Sequence, residues 1–196
     1  MAKINPLKIP GRWHDGYALD LHTLKSVFLG NDEFGRPLFE TTRSEIGELL
    51  YRLKYSADQT AIPELVQAAV GFIVGWKASP DALVPVPPSR ARAVQPVLVL
   101  AKAMADDLKI EFVGDGVTRT KEIPELKNVY DYDERLRILA DAHAVSGDKT
   151  RGKRILLFDD LYRSGATMNQ IAKLLYDAGG ASEVLALALT RTRSAT

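Results

Sequence analysis

Arg154-Ile-Leu-Leu-Phe-Asp-Asp-Leu-Tyr-Arg-Ser-Gly-Ala-Thr167 is the stretch on which the reading of the fold turns. Its apolar run, residues 155–158, shows no polar alternation, which predicts a parallel strand covered on both faces. Two carboxylates, Asp159 and Asp160, stand where that run ends. Residues 162–166 read as a short loop, and Thr167 opens a helix whose apolar positions Met168, Ile171, Leu174, Leu175 and Ala178 keep helical spacing. Gly179-Gly180 then ends the helix as a C-terminal cap.

Strand, acid pair, small-residue loop and helix form a phosphate-binding layout. Successive backbone N–H groups of a tight loop, backed by the positive end of a helix dipole, hold a phosphate with little help from side chains. Ser164 and Thr167 add hydroxyl donors, and Gly165 lets the backbone approach the anion. Asp159 and Asp160 repel that anion, so their partners are donors a few ångströms away, either the vicinal hydroxyls of a ribose or a divalent metal. A ribose 5-phosphate satisfies both halves of the element.

Paired aspartates after a strand also serve as helix caps or solvated turn residues, and Ile-Leu-Leu-Phe-Asp-Asp imitates the Walker B strand of ATPases. A Walker B strand requires a Walker A loop. The near-match, Gly147-Asp-Lys-Thr-Arg-Gly152-Lys153-Arg154, ends in arginine where a metal-binding hydroxyl is needed, and it precedes a strand instead of following one. That alternative is set aside.

The thirteen residues 155–167 resemble the phosphoribosyl pyrophosphate (PRPP) motif of type I phosphoribosyltransferases. The resemblance implies an α/β fold: an open, mostly parallel twisted sheet flanked by helices, with an N-terminal hairpin extension and a flexible lid. It implies that Asp159 and Asp160 act catalytically on the ribose hydroxyls, and that Arg163, Ser164, Gly165, Ala166 and Thr167 bind the 5-phosphate. It also implies Mg²⁺ carried in on PRPP, with no metal site made of protein side chains. Two positions depart from the usual motif. Tyr162 replaces a small aliphatic, and is familiar from the ComF-like branch; it either stacks on a base or packs. Arg163 replaces a small residue; it either contacts phosphate or points to solvent.

Bulk properties set outer bounds. At 196 residues the chain is expected to form one domain, residues 1–41 as an extended hairpin region and 42–196 as the core. With no cysteine it has neither disulfides nor thiolate zinc sites, which is compatible with a cytoplasmic protein. No run approaches a membrane span, and the amino terminus lacks a signal-peptide core. Against 26 basic residues stand 25 acidic ones, so no basic field indicates nucleic acid.

Upstream, residues 13–40 read as extended structure beside the main sheet. Val27-Phe-Leu29 and Pro37-Leu-Phe39 flank a turn-rich segment as a hairpin would. Thr42-Arg-Ser-Glu45 has capping-box form ahead of Ile46, Leu49, Leu50 and Leu53, so a first helix ends near Tyr55. A second begins at Pro63. Residues 82–86 predict a strand leading into Pro87-Pro-Ser-Arg-Ala-Arg92, a rigid turn that presents Ser89, Arg90 and Arg92 where ligands of open α/β sheets gather. This turn resembles the pyrophosphate loop of the ComF-like branch, although Arg92-Ala-Val-Gln95 matches its usual ending only in part.

A helix carrying Val94, Val97, Leu98, Ala101, Met104, Ala105 and Leu108 follows, then a strand at 110–113. The alternation favours a parallel sheet. Residues 119–137 make a long polar excursion, as lids often do. It resembles the family's flexible loop, Glu125 replacing a glutamine and Glu134-Arg135 retained; Arg119, Lys121 and Lys127 are then candidates for the pyrophosphate, or solvated charges. Residues 184–189 predict a last strand and 190–196 a frayed tail.

The ComF-like resemblance covers residues 45–192, without that branch's usual cysteine-rich zinc module. Together these readings imply a Mg-dependent phosphoribosyltransferase that binds PRPP, releases pyrophosphate and serves an unidentified acceptor. The alternative is a non-catalytic PRPP or nucleotide regulator, or a ComF-like accessory of DNA uptake. Homodimerisation is left open.

Overall fold

The structure, a computed structural model, describes residues 2–89, 94–122, 129 and 131–193. In chain order its strands are β1 (Leu7–Lys8), β2 (Asp15–Leu21), β3 (Thr23–Asn31), β4 (Pro37–Arg43), β5 (Ala82–Pro85), β6 (Glu111–Phe112), β7 (Val117–Arg119), β8 (His143–Val145), β9 (Arg154–Tyr162) and β10 (Glu183–Arg191). The helices are α1 (Glu45–Tyr55), α2 (Ile62–Trp76), α3 (Pro96–Leu108), α4 (Tyr132–Leu139), α5 (Gly147–Thr150) and α6 (Ala166–Asp177).

Six strands form the main sheet in the order β1-β2-β10-β9-β5-β6, and all neighbours run parallel except β1 and β2. This is the expected open, mostly parallel α/β sheet. Because β9 lies inside it, its run Ile155, Leu156, Leu157 and Phe158 is wholly buried. Alternate residues feed two cores. Leu156 and Phe158 join Leu185, Leu187 and Leu189 under α1, α2 and α3, whereas Ile155 and Leu157 join Val184, Ala186 and Ala188 under α6. Truncating Phe158 to alanine would remove about 3–5 kcal/mol of packing.

Four expectations are corrected. First, β9 continues through Asp159 and Asp160 to Tyr162, because β10 pairs with it as far as Arg191–Tyr162, so the carboxylates stand within the strand and the loop shrinks to residues 163–165. Second, residues 15–21 belong to the main sheet: β2 pairs in parallel with β10, and only the β3–β4 hairpin stands apart. Third, Ser44, not Thr42, caps α1, its Oγ accepting the Gly47 N–H at 3.0 Å. Fourth, Thr190 and Arg191 are not a frayed tail but the end of β10, with Thr190 fully buried. Around the polar excursion β7 and β8 pair antiparallel, and α4 lies between them in the chain.

Candidate active site

Consecutive residues of a strand point to opposite faces, and this rule divides the acid pair. Asp160 faces the α1–α3 layer, where its Oδ1 lies 2.8 Å from Lys54 Nζ; both side chains are largely buried. Asp159 faces the α6 layer and lines a cavity of about 110 Å³. The expectation of two carboxylates side by side on one sugar is thereby corrected. One carboxylate faces the cavity, and the other is held from behind by a lysine that the acid pair by itself did not reveal.

The rest of the cavity wall is Leu161, Tyr162, Arg163, Ser164, Gly165, Ala166, Thr167 and Met168, with Arg135 contributed by α4. Since roughly 10–15 Å³ suffices for one water, this volume accepts an anion the size of several waters. Every residue assigned to the phosphate loop is therefore at one place. Gly165 caps α6 at φ 75°, a left-handed conformation, and a Cβ there would lie 2.6 Å from Tyr162 Oη. Any other side chain would strain the turn and push the tyrosine. The first amides of α6, at Ala166, Thr167 and Met168, have no acceptor within the helix, whose ladder starts with Asn169 N–H donating to Gly165 O at 2.8 Å. No acidic residue occupies the helix's first turn, so nothing local competes for the positive end of the dipole.

Electrostatics follow from this division. Burial, reinforced by the neighbouring Asp160 charge, pushes Asp159 up to about 7, while Lys54 and the backbone amides of Asp160 and Leu161 pull the other way. Asp159 is thus poised near neutrality, where a group that donates hydrogen bonds to it has the most to gain. Behind Asp160 stands His22, whose Nδ1 is 3.3 Å from Thr190 Oγ1. Burial and then the Lys54 and Arg43 charges lower its pKa.

Of the two alternatives for Tyr162, stacking on a base or packing, the free protein shows the packing one. Tyr162 is buried, its hydroxyl donates to Pro10 O at 3.0 Å, and its ring meets Trp13 edge-on at 6.3 Å. Arg163 is exposed at the cavity rim, and Ser164 Oγ accepts a long 3.4 Å bond from Ala166 N–H.

The proline turn begins beside the acid pair, because Val86 N–H donates to Phe158 O at 2.8 Å. Ser89 is exposed, and its carbonyl, with that of Pro88, accepts from Arg119 at 3.0 and 3.4 Å. Arg119 thus ties β7 to the turn. Lys121 is exposed. Arg90, Arg92 and Lys127 lie outside the described residues. The sequence reading noted Arg135 only as part of a retained Glu-Arg pair; α4 brings its guanidinium to the phosphate loop, its Nε donating to Val129 O. Lys54, in the last turn of α1, is a further residue whose partner, Asp160, was not visible until the chain folded. Among the described residues no group of three or more His, Cys, Asp or Glu is arranged to hold a metal, and no helix is long and apolar enough to cross a membrane.

No family model and no curated protein matches the chain. Solved structures similar to it include adenine phosphoribosyltransferase of Thermoanaerobacter pseudethanolicus, at 16% identity over 85% of this chain and 94% of that one, with a TM-score of 0.47. The Saccharomyces cerevisiae adenine phosphoribosyltransferase is similar at 12% identity, 86% and 84% coverage and a TM-score of 0.49. Orotate phosphoribosyltransferase of Aeropyrum pernix is similar at 17% identity, 87% and 76% coverage and a TM-score of 0.45. The likeness is one of outline, and what the site can do is read from its own geometry.

Proposed function

We propose that the chain binds PRPP and transfers its phosphoribosyl group to an acceptor with release of pyrophosphate, in the cytoplasm, as a ComF-like relative of the type I phosphoribosyltransferases. The observation that carries this reading is that Asp159, the 163–165 loop and the first residues of α6 line one cavity, which sets an acceptor for sugar hydroxyls next to donors for a phosphate. A ligand lacking either half leaves the other unsatisfied.

In this reading the 5-phosphate sits on the amides of residues 164–168, with Thr167 Oγ1 and the Arg135 guanidinium as further donors. Asp159 accepts from the ribose hydroxyls. The turn at 86–89 and the segment after β7 flank the pyrophosphate. The bond from C1 to the pyrophosphate oxygen breaks, and its electron pair leaves with the pyrophosphate. The ring becomes oxocarbenium-like, and a lone pair of the acceptor forms the new bond at C1 as the acceptor loses a proton. Positioning and electrostatic stabilisation supply the rate, so no protein nucleophile is needed. Mg²⁺ would neutralise the leaving pyrophosphate. The residues present fit such an ion only through PRPP's own oxygens, since Asp160 is engaged by Lys54 and Asp159 alone faces the cavity.

The Lys54–Asp160 ion pair also favours a second reading, a regulator that binds PRPP or a nucleotide without turnover, because half of the acid pair is withdrawn from the sugar. Calorimetric titration with PRPP, with and without magnesium, followed by a pyrophosphate-release assay over a panel of bases, separates the two. Binding with release from at least one acceptor supports transfer. Binding without release from any supports the regulator. No binding in either condition overturns both. Asp159→Asn is expected to weaken PRPP at least tenfold. Because hydroxyl donors favour the ionised carboxylate, wild-type affinity should rise with pH through about 7, with proton release on binding.

A further inference from the structure

The β3–β4 hairpin buries almost nothing of itself. Residues 24–29 and 37–40 are exposed throughout, and among them Phe28, Leu29, Leu38 and Phe39 stand in solvent together with Phe34 at the turn, which is 73% exposed. Phe28 and Phe39 form a cross-strand aromatic pair with ring centroids 5.5 Å apart. They share a face with Ser26 and Thr41, whose hydroxyls are 3.2 Å apart, while Val27 lies on the opposite face. Only the base of the hairpin touches the domain, where the Arg43 guanidinium lies over the Tyr51 ring and pairs with Glu48; beyond it both faces are bare. Each strand is hydrogen-bonded only to the other, so the ribbon also keeps two open edges.

An isolated two-stranded hairpin is marginally stable by itself, and one that is apolar on both faces needs cover on both. Leu24, Val27, Phe28, Leu29, Phe34, Leu38 and Phe39 have side chains of about 150–200 Å² each, and scaled by their exposures they present roughly 550–730 Å² of apolar surface over the two faces. Its upper end approaches the roughly 800 Å² per partner of a standard stable interface, and its lower end already stands near the top of the roughly 300–600 Å² of the largest patch on an ordinary monomer. Charge narrows the choice of partner. The hairpin carries three basic residues, Lys25, Arg36 and Arg43, and three acidic ones, Asp32, Glu33 and Glu40. No polybasic flank is offered to an anionic lipid surface or to a nucleic acid. Mixed charge around apolar faces and open edges is what a self-complementary, two-fold contact requires.

We propose that the hairpin is a dimerisation arm: two copies of this chain cross arms about a two-fold axis, each covering the apolar faces left bare by the other. The arm leaves from the carboxyl end of β2, and β2 runs parallel to β10 and β9. The second copy is therefore held at the same edge of the sheet as the cavity. This inference does not rest on the phosphoribosyl chemistry.

Sedimentation equilibrium of the full chain over a hundredfold concentration range tests it. A wild-type dimer whose dissociation constant rises at least tenfold in the Phe28→Ser/Phe39→Ser variant is the expected result. A wild-type monomer at every concentration, or a dimer of unchanged affinity in the variant, overturns it. The absence of native cysteine gives a second measurement that does not depend on weakening the arm. A single Leu29→Cys should give a covalent dimer on mild oxidation, while Lys173→Cys, on the exposed side of α6, should not. Equal cross-linking by both, or by neither, also overturns it.

Discussion

The cavity edge and the hairpin arm emerge at the same end of one sheet, yet they handle polar and apolar groups in opposite ways. At the cavity, charges are drawn inward: Asp160 and Lys54 form an ion pair with side chains only 17% and 12% exposed, and Asp159 is driven toward protonation. At the arm, phenylalanines and leucines are turned outward, where burial contributes nothing. A buried charge without a ligand and an exposed apolar face without cover are both unfavourable arrangements. On the readings proposed above, each becomes favourable when a partner arrives, the hydroxyls of a sugar in one case and a second copy of the chain in the other.

The contrast is most sharply broken at Lys54. Removing one member of a largely buried ion pair leaves the other charge uncompensated, so Lys54→Met should cost about 3 kcal/mol in denaturant unfolding. Lys54→Met/Asp160→Leu should recover most of that loss. Full stability in the single variant would show that Asp160 finds other compensation.

Next comes Asp159. Its folded pKa is raised, so the protonated carboxyl stabilises the fold below the unfolded value, near 4, and that contribution is lost as pH rises through about 7. Asp159→Asn should therefore be more stable than wild type at pH 8 and nearly equal to it at pH 4. Unfolding curves at the two pH values check the sign. An Asn variant less stable at pH 8 would mean that the carboxylate is already compensated in the free protein.

His143 gives a smaller effect of the opposite sign. It is buried in β8, and burial followed by the Arg119 charge depresses its pKa to about 4. Its contribution is present above pH 6.5 and is lost as pH falls toward 4. His143→Phe should flatten that acid limb by about 1 kcal/mol, measured between pH 7 and pH 5. The smallest effect is expected at the arm. In dilute, monomeric protein, Phe28→Ser should shift unfolding by less than about 0.5 kcal/mol, because no core packs on the ring.

Much of this was legible in the residues. The uninterrupted apolar run at 155–158 declared a strand buried on both faces, and the small residues after Tyr162 declared an anion loop at a helix start. Both readings depend on local rules of sterics and burial that act within a few residues. The apolar triplets 27–29 and 37–39 on either side of a turn-rich segment declared the hairpin, although nothing in them said that it would stand clear of the sheet. Other features needed contacts distant in sequence. Where β9 ends is set by its pairing with β10, which carries the strand through both aspartates to Tyr162.

What the sequence by itself determined is the class of sheet and the place of the small-residue loop at the start of α6, because strand burial, glycine at positive φ and the opening of a helix are consequences of nearby residues. Only the tertiary structure decided that Asp159 and Asp160 part company, one toward the cavity and one toward Lys54, a residue 106 positions earlier in the chain. The physical reason is the pleat: once pairing extends the strand through the acid pair, adjacent side chains must face opposite layers.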